Sequence, residues 1–528
     1  LPVDLAAART HPTQPALMRG LTRTRLRPAA ATKAAGPGTA LLDTVAGLDE
    51  RARRALLVGL VVEHASAALG RGAEDPIGVG QVFQDIGFDS LTAVDLRNRL
   101  SGAVATRLPA TVVFDHPTPV ALAERLLAAL VGTPGDVPET VDFGAEVRLA
   151  PDVTAAGPAH LTHEPAHVFL TGATGFLGSF LLRDLLRTTS ARVHCLVRGK
   201  DEADALRRLI EAMEWYETRP DVDLARVDVV VGDLAESALG LGESLFDELA
   251  RVIDVVYHAG ASVNWLYPYE TLKPANIAGT EEVLRLAARH RTVPVHYVSS
   301  TGVYAQRPAE GVRLSVDDPT GPPETLSNGY RQAKWVAEAV LGLARRRGVP
   351  VSIYRVDVVS GDQVNGACQT QDFVWLSIRG ILEAKAIPAN SASYFHPTPV
   401  DYVSAAILYL SQRISAVGDT FNLSNPSALP FTEVIDHLRT LGHPVAEMDH
   451  QEWSEVVRAD PANSLIPLLE VFEAGFAGEG GYPAIDTGKT EVALAGSGIA
   501  CPEVTGDLLA KYVDFFSKRG YFPKPAAI

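Results

Sequence analysis

The sequence predicts two structural parts: a small all-α bundle of four helices, then an α/β doubly wound parallel sheet carrying a smaller, mainly helical domain. Three observations carry this. Apolar residues recur at helical spacing between about Leu41 and Gly132. Beyond Ala166, short β-rich runs alternate with helical patterns, as in a parallel sheet covered on both faces. After about Asp357 the alternation breaks into irregular helical segments.

Taken in order, residues 1–40 end in PAAATKAAGPGTA, a mixture that builds no core and reads as a linker. The bundle, residues 41–132, opens with RARRALLVGLVVEHASAALG. A Gly- and Pro-bearing loop follows, then a helix pattern beginning at Ser90 in DIGFDSLTAVDLRNRL, then a last helix in HPTPVALAERLLAALVG. Residues 133–165 show no sustained period and read as an interdomain linker. Fully flexible, it would span about 30–35 Å root mean square, although packing of FGAEVRLAPDV would shorten that reach. Residues 166–528 form the α/β part, with strands predicted in AHVFLT, ARVHCLV, RVDVVVG, VIDVVYHAG, VPVHYVSS and VSIYRVDVV. Its sheet-forming region is residues 166–360 and about 397–425, where PTPVDYVSAAI and TFNLSN return to the sheet; the remainder is the smaller domain.

The 528 residues, 47% hydrophobic and 21% charged, are enough for large cores. A net charge of −16 argues against a general nucleic-acid binder. Apolar runs such as ALLVGLVV fall short of the roughly 18 residues that cross a bilayer, so no membrane partner and a cytoplasmic location are expected. LPVDLAAART shows neither an initiator Met nor a signal pattern, and the chain reads as a piece of a longer polypeptide. Cys195, Cys368 and Cys501 are far apart, which fits neither a disulfide framework nor a zinc knuckle. His160, His163 and His167 cluster in HLTHEPAH, but Pro and Thr interrupt any helical face, so no metal site is expected.

The first strand runs directly into TGATGFLGSFLLRDLL, a turn with Gly172, Gly175 and Gly178 that opens a helix. Such glycines let the backbone approach a pyrophosphate whose charge sits on helix N–H groups. The spacing resembles the short-chain dehydrogenase/reductase superfamily, particularly its extended branch, and implies a Rossmann-type dinucleotide site. Thr171, Gly172, Thr174, Gly175, Phe176, Leu177 and Gly178 are its candidate residues. Where an acid would hold the free 2′-hydroxyl of NAD, the second strand ends in CLVRGK; Arg198 and Lys200 suit a 2′-phosphate, with Arg208 assisting, so NADPH is the expected cofactor. Asp233 and Leu234 in VGDL are placed to meet the adenine, and His258, Ala259 and Gly260 end the fourth strand where the nicotinamide ribose approaches.

YVSSTGVY places Ser300 at the end of the fifth strand, and GYRQAK places Tyr330 and Lys334 one helical turn apart on one face. A nearby cation favours the phenolate, making Tyr330 a better proton donor to an oxygen gaining charge, while Ser300 hydrogen-bonds that oxygen. Thr301 is the competing hydroxyl, and the following Val-Tyr favours Ser300.

LTGATGFLG, HAGASVNWLYPYETLKPANIAGT, GYRQAKWVAE, YRVDVVSGD and HPTPVDYVSAAI, from about Phe143 onward, resemble the thioester reductase domains ending modular polyketide and nonribosomal peptide synthases, relatives of the reductase of carboxylic acid reductases. Residues 41–131, with IGFDSL and FDHPTP, resemble a polyketide acyl carrier protein, and residues 1–40 resemble the tail behind a ketoreductase. The resemblance implies that Ser90, which could otherwise be a simple N-cap, carries covalent 4′-phosphopantetheine added by a phosphopantetheinyl transferase. It implies acyl thioesters delivered by upstream polyketide synthase domains, and hydride transfer from NADPH that releases an aldehyde or, after a second hydride, an alcohol. Lys334 would bind the nicotinamide ribose and tune Tyr330. The rival readings are a sugar-nucleotide enzyme of the same branch, a redox-silent domain that cyclises the chain, and a non-catalytic carrier module.

Overall fold

The computed structural model describes residues 45–525 apart from 46–47, 70, 72–75, 84–85, 89, 105–107, 109–111, 132–140, 306–311, 371, 390–393, 428, 461–462, 470–471 and 474–483. The expected linker at 1–40 lies outside the described residues.

The bundle consists of α1 (Glu50–Ala68), α2 (Ser90–Val104), α3 (Val112–Asp115) and α4 (Pro119–Val131). The Asp49 carboxylate starts α1 by accepting the Ala52 N–H at 2.8 Å, and the Thr118 hydroxyl oxygen does the same for Ala121 at 3.2 Å. The helical spacing of Leu57, Val61 and Ala65 on α1 and of Leu122 and Leu126 on α4 brings these side chains together with Leu96 and Leu100 of α2, all fully buried.

The sheet contains β1 (His167–Thr171), β2 (Arg192–Val197), β3 (Val227–Val231), β4 (Val255–His258), β5 (Val295–Ser300), β6 (Val351–Val356) and β7 (Thr420–Leu423). All neighbours are parallel, in the order β7-β6-β5-β4-β1-β2-β3. Because side chains alternate along a strand, Val168 and Leu170 of β1 face one core and Phe169 the other. On the first face lie α5 (Phe176–Thr188), α6 (Glu202–Trp215) and, further along the chain, Val400–Ser411. The opposite face is covered by α7 (Glu243–Val252), α8 (Gly279–Ala288) and α9 (Gly329–Arg346). The strand order reverses between β1 and β4, so the loops after these strands diverge and leave a crevice at their carboxyl ends.

The expected linker at 133–165 is corrected by the structure over its described part. Phe143, Leu149 and Val153 are buried in the core that holds α7, α8 and α9. The Glu146 carboxylate accepts hydrogen bonds from Tyr269 at 2.9 Å and Lys273 at 2.8 Å, and Arg347 donates to the Leu149 and Val153 carbonyls. Residues 141–165 thus belong to the α/β part; too few apolar residues at regular spacing hid this from periodicity. The smaller domain gathers α10 (Phe373–Ala384), α12 (Phe431–Thr440), α13 (His450–Ala459) and α14 (Gly506–Lys518), whereas α11 (Val400–Ser411) packs on the sheet as expected from the sequence. Trp375, Trp453, Phe472 and Phe516 form its core.

Candidate active site

The turn between β1 and α5 is shaped by two glycines. Gly172 has φ +79°, and a Cβ there would lie 2.7 Å from the Gly260 nitrogen. A Cβ on Gly178 would sit 2.0 Å from the Gly172 carbonyl oxygen. The two loops of the crevice therefore press together backbone to backbone, and helix α5 closes against the turn. Gly175 precedes α5 without any side-chain cap, so the leading N–H groups of a thirteen-residue helix are left for an anion. This cradle fits a dinucleotide pyrophosphate.

The other expected cofactor residues divide by where their side chains go. Thr174 is half-buried in the turn and Leu177 on the first turn of α5, whereas Phe176 is buried against Phe180 and Tyr216, with ring centroids 5.7 and 5.1 Å away. Thr171 and His258 are turned inward: Thr171 Oγ1 lies 2.7 Å from His258 Nδ1 and accepts the Gly260 N–H at 3.0 Å. Their side chains are committed to each other, which leaves only backbone for the crevice; Ala259 and Gly260 continue it. The Asp233 carboxylate accepts the Ala235 N–H at 2.9 Å, and Leu234 packs so that a Cβ on Gly260 would meet its Cδ1 at 2.8 Å. Arg198 stands exposed just beyond β2 and, among the described residues, its side chain makes no hydrogen bond or ion pair. Lys200 is also exposed, its backbone N–H donating to Asp204 at 3.2 Å, and Arg208 is half-buried on α6.

Ser299, Ser300 and Thr301 have different fates. The buried Ser299 hydroxyl donates to Glu338 at 2.5 Å and Thr301 is buried, while Ser300 is half-exposed with its Oγ accepting the Gly302 N–H at 3.0 Å. Asn328 caps α9 by accepting the Arg331 N–H at 3.0 Å, which fixes the turn carrying Tyr330. Tyr330 is half-exposed; Lys334, one turn on, is 3% exposed. Its ammonium donates to the Val298 carbonyl at 2.8 Å and to the Tyr297 hydroxyl at 3.2 Å. It lies 4.6 Å from the centroid of the Tyr297 ring and 6.0 Å from that of Tyr330.

The electrostatics differ from the sequence expectation in one respect. The Tyr330 phenol is raised above its ordinary range, first by burial and then by the Asp372 carboxylate, while the Lys334 ammonium is hydrogen-bonded to Val298 and Tyr297. Burial pulls Lys334 down to about 7 against the attraction of Glu338. Asp372 is itself pushed up to about 6 by burial.

Periodicity missed several neighbours of this site. Trp265, in the loop after β4, lies with its ring 6.2 Å from Tyr330 and 5.9 Å from Phe373. Asp372 caps α10 by accepting the Val374 N–H at 2.8 Å. Glu338 pairs with the Arg355 guanidinium at 2.9 Å, and Arg355 donates to the Tyr304 hydroxyl at 2.7 Å. The four-residue step Tyr330, Lys334, Glu338 could have revealed Glu338; the loop residues carried no such signal.

In the bundle, Ser90 is the first residue of α2. The loop before it contains Gly87 at φ +103° and is anchored by Phe88, whose ring centroid is 5.0 Å from that of the buried Phe83. Arg71 also donates to the Ile86 carbonyl at 2.8 Å. On α3, Phe114 places its ring centroid 4.4 Å from that of Tyr267, two residues beyond Trp265. The three clustered histidines go to different partners: His160 lies 3.4 Å from Asp254, His163 2.9 Å from the Gln412 carbonyl and His167 3.0 Å from His194.

Comparison with known proteins matches residues 60–126 to the Phosphopantetheine attachment site family and residues 170–407 to the Male sterility protein family. A linear gramicidin synthase component from Brevibacillus parabrevis is 37% identical over 459 residues, covering 84% of this chain but 9% of that protein. The isonitrile lipopeptide synthase of Streptomyces coeruleorubidus is 33% identical over 84% of this chain and 31% of its own length. The chain thus spans less than a third of either relative. Among solved structures, the terminal R domain from the myxalamid PKS-NRPS biosynthetic pathway is 36% identical, with TM-score 0.68, covering 73% of this chain and 99% of that one. A thiolation-reductase di-domain from an archaeal non-ribosomal peptide synthetase shares the fold over 88% of this chain and 98% of its own, at TM-score 0.64 and 22% identity. With the glycine crevice, the Ser-Tyr-Lys arrangement and the bundle in front of them, these likenesses show that the chain belongs to the family of terminal reductase domains, carried behind a phosphopantetheine-attachment domain.

Proposed function

We propose that this protein releases a carrier-bound acyl thioester by NADPH-dependent reduction to an aldehyde, the acyl chain riding on 4′-phosphopantetheine at Ser90. The observation that carries this reading is the placement of Ser300, Tyr330 and Lys334 on β5 and α9, beside the glycine crevice. When bound there, the dinucleotide supplies a hydride to the thioester carbonyl carbon. Tyr330 gives its phenolic proton to the oxygen that gains the electron pair, and Ser300 hydrogen-bonds the same oxygen. The resulting thiohemiacetal then breaks its carbon–sulfur bond, the hydroxyl proton leaves, and the sulfur takes up a proton. The balance is one thioester, one NADPH and one proton consumed for one aldehyde, one carrier thiol and one NADP⁺. Arg198 and Lys200, exposed at the end of β2, would hold the 2′-phosphate, and Lys334 the nicotinamide ribose.

Upstream synthase domains and a phosphopantetheinyl transferase are the partners this chemistry requires. The polyketide setting rests on IGFDSL and FDHPTP; the relatives compared above include a gramicidin synthase component and a mixed PKS-NRPS pathway.

The test is to load the carrier with a panel of acyl groups and follow NADPH oxidation together with product mass. Aldehyde formed in stoichiometric proportion to NADPH, and no loading of Ser90→Ala, is the expected result. Acyl release without NADPH consumption would refute reduction.

A further inference from the structure

Lys334 is buried at the end of a run of polar groups that are also buried: Tyr297 at 1% exposure, with Thr280, His258 and Thr171 beyond it. Their hydrogen bonds have only one consistent direction. The Thr280 hydroxyl donates to the Asn276 carbonyl at 2.7 Å, so at 3.1 Å from His258 Nε2 it must accept. His258 therefore carries its proton on Nε2, and Nδ1 accepts from Thr171, whose oxygen takes the Gly260 N–H. Burial holds His258 neutral, at about 3. Tyr297, on β5, lies between this run and Lys334, and a lysine ammonium can only donate. The Tyr297 oxygen is therefore the acceptor of the Lys334 ammonium, 3.2 Å away.

We propose that Tyr297 is a positioning residue for the reduction: its oxygen and ring face, together with the Val298 carbonyl, hold the Lys334 ammonium in place for its partners in the crevice. The proposal rests on the reductase reading above and deepens it. Two of the three ammonium protons are fixed from the β5 side, so the remaining one is directed away from that strand. The ring contributes a second attraction, with the ammonium 4.6 Å from its centroid. The charged and titratable groups facing Lys334 are Tyr330 and Glu338 on α9, Tyr297 on β5 and His258 on β4; Arg355 on β6 is engaged by Glu338.

Tyr297→Phe keeps the ring and deletes the acceptor. The ammonium then loses a hydrogen bond to its charged form, and its titration moves to lower pH by about one unit, a tenfold change in protonation equilibrium. The experiment uses the full chain labelled with ε-¹³C lysine, the Lys334 resonance being assigned by its loss in Lys334→Arg. Titrations of wild type, Tyr297→Phe and Tyr354→Phe are compared. Tyr354 is a buried phenol on β6 bonded to His296 at 3.0 Å, in the core on the opposite face of the sheet. The expected outcome is an acidward shift in Tyr297→Phe alone, matched by an acidward move of the alkaline limb of kcat against pH in the loaded protein. An unmoved Lys334 titration in folded Tyr297→Phe, or an equal shift in Tyr354→Phe, would overturn the proposal. Absence of NADPH turnover in wild type would instead refute the reductase reading, and the resting titration would still decide the role of Tyr297.

Discussion

Gly178 approaches the Gly172 carbonyl oxygen so closely that a methyl group in its place would lie 2.0 Å from that oxygen. Backbone cannot yield as a flexible side chain does, so Gly178→Ala must push α5 away from β1. The expected cost is about 1–3 kcal/mol of stability, as in other overpacked sites, with weaker dinucleotide binding. Gly175→Ala meets its nearest neighbour at 3.1 Å and should be milder. Thermal melts and fluorescence titration with NADPH compare the two; equal behaviour would show that the close approach does not govern the crevice.

Tyr330→Phe should abolish reduction while sparing cofactor affinity, since the phenol acts only as charge develops on the substrate oxygen. A general acid of this kind contributes about 10² to 10⁴ in rate. Lys334→Ala should lower both rate and NADPH affinity. Product formation and NADPH titration separate the two variants, and near wild-type turnover in Tyr330→Phe would remove it from the mechanism.

Arg198→Ala should raise the KM for NADPH far more than that for NADH. A charge-assisted hydrogen bond is worth roughly 1.5–3 kcal/mol, or about one to two powers of ten in affinity. Steady-state kinetics with both nucleotides provide the check, and equal effects would place the 2′-phosphate elsewhere.

Stability should depend on pH through Lys334. Its native value of about 7 lies below the roughly 10.4 of an unfolded lysine, so between these limits the unfolded chain binds more protons. Stability contributed by this group therefore rises with pH across that window, and the full penalty of burying the charge applies below it. The change is on the order of 4 kcal/mol. Urea melts at pH 7 and pH 9 should show a rise in wild type that Lys334→Met lacks, and parallel behaviour of the two would contradict the assignment.

The parts of this fold that repeat were legible in the sequence. β1, β2, β4, β5 and β6 announced themselves because their residues are mostly buried on both faces, and β3, half-buried at the sheet edge, because it still reads as the β-branched run VDVVV. The glycine turn and the Tyr330–Lys334 step were legible because each is a short local spacing. Residues brought in by loops were not: Trp265 reaches Tyr330 from the segment after β4, and Asp372 from the cap of α10, and neither sits in a periodic pattern. The sign of the Tyr330 shift was also beyond the sequence, because it depends on burial and on the Asp372 carboxylate that the cap of α10 brings near. The segment around Phe143 looked like tether because its apolar residues sustain no regular period, yet Phe143, Leu149 and Val153 among them are buried.

That anchoring has a kinetic meaning. With Val141 already on the reductase body, nine residues, 132–140, join it to the end of α4 at Val131. Whatever path they take, at roughly 3.3–3.6 Å per residue they extend no further than about 35 Å. If Ser90 carries the acyl arm as proposed, a connection of at most that length would hold it at a high local concentration, of order millimolar, around one reductase. Release should then be first order and insensitive to dilution, each molecule emptying its own carrier. The enzymes that load the carrier must come to it within the same radius.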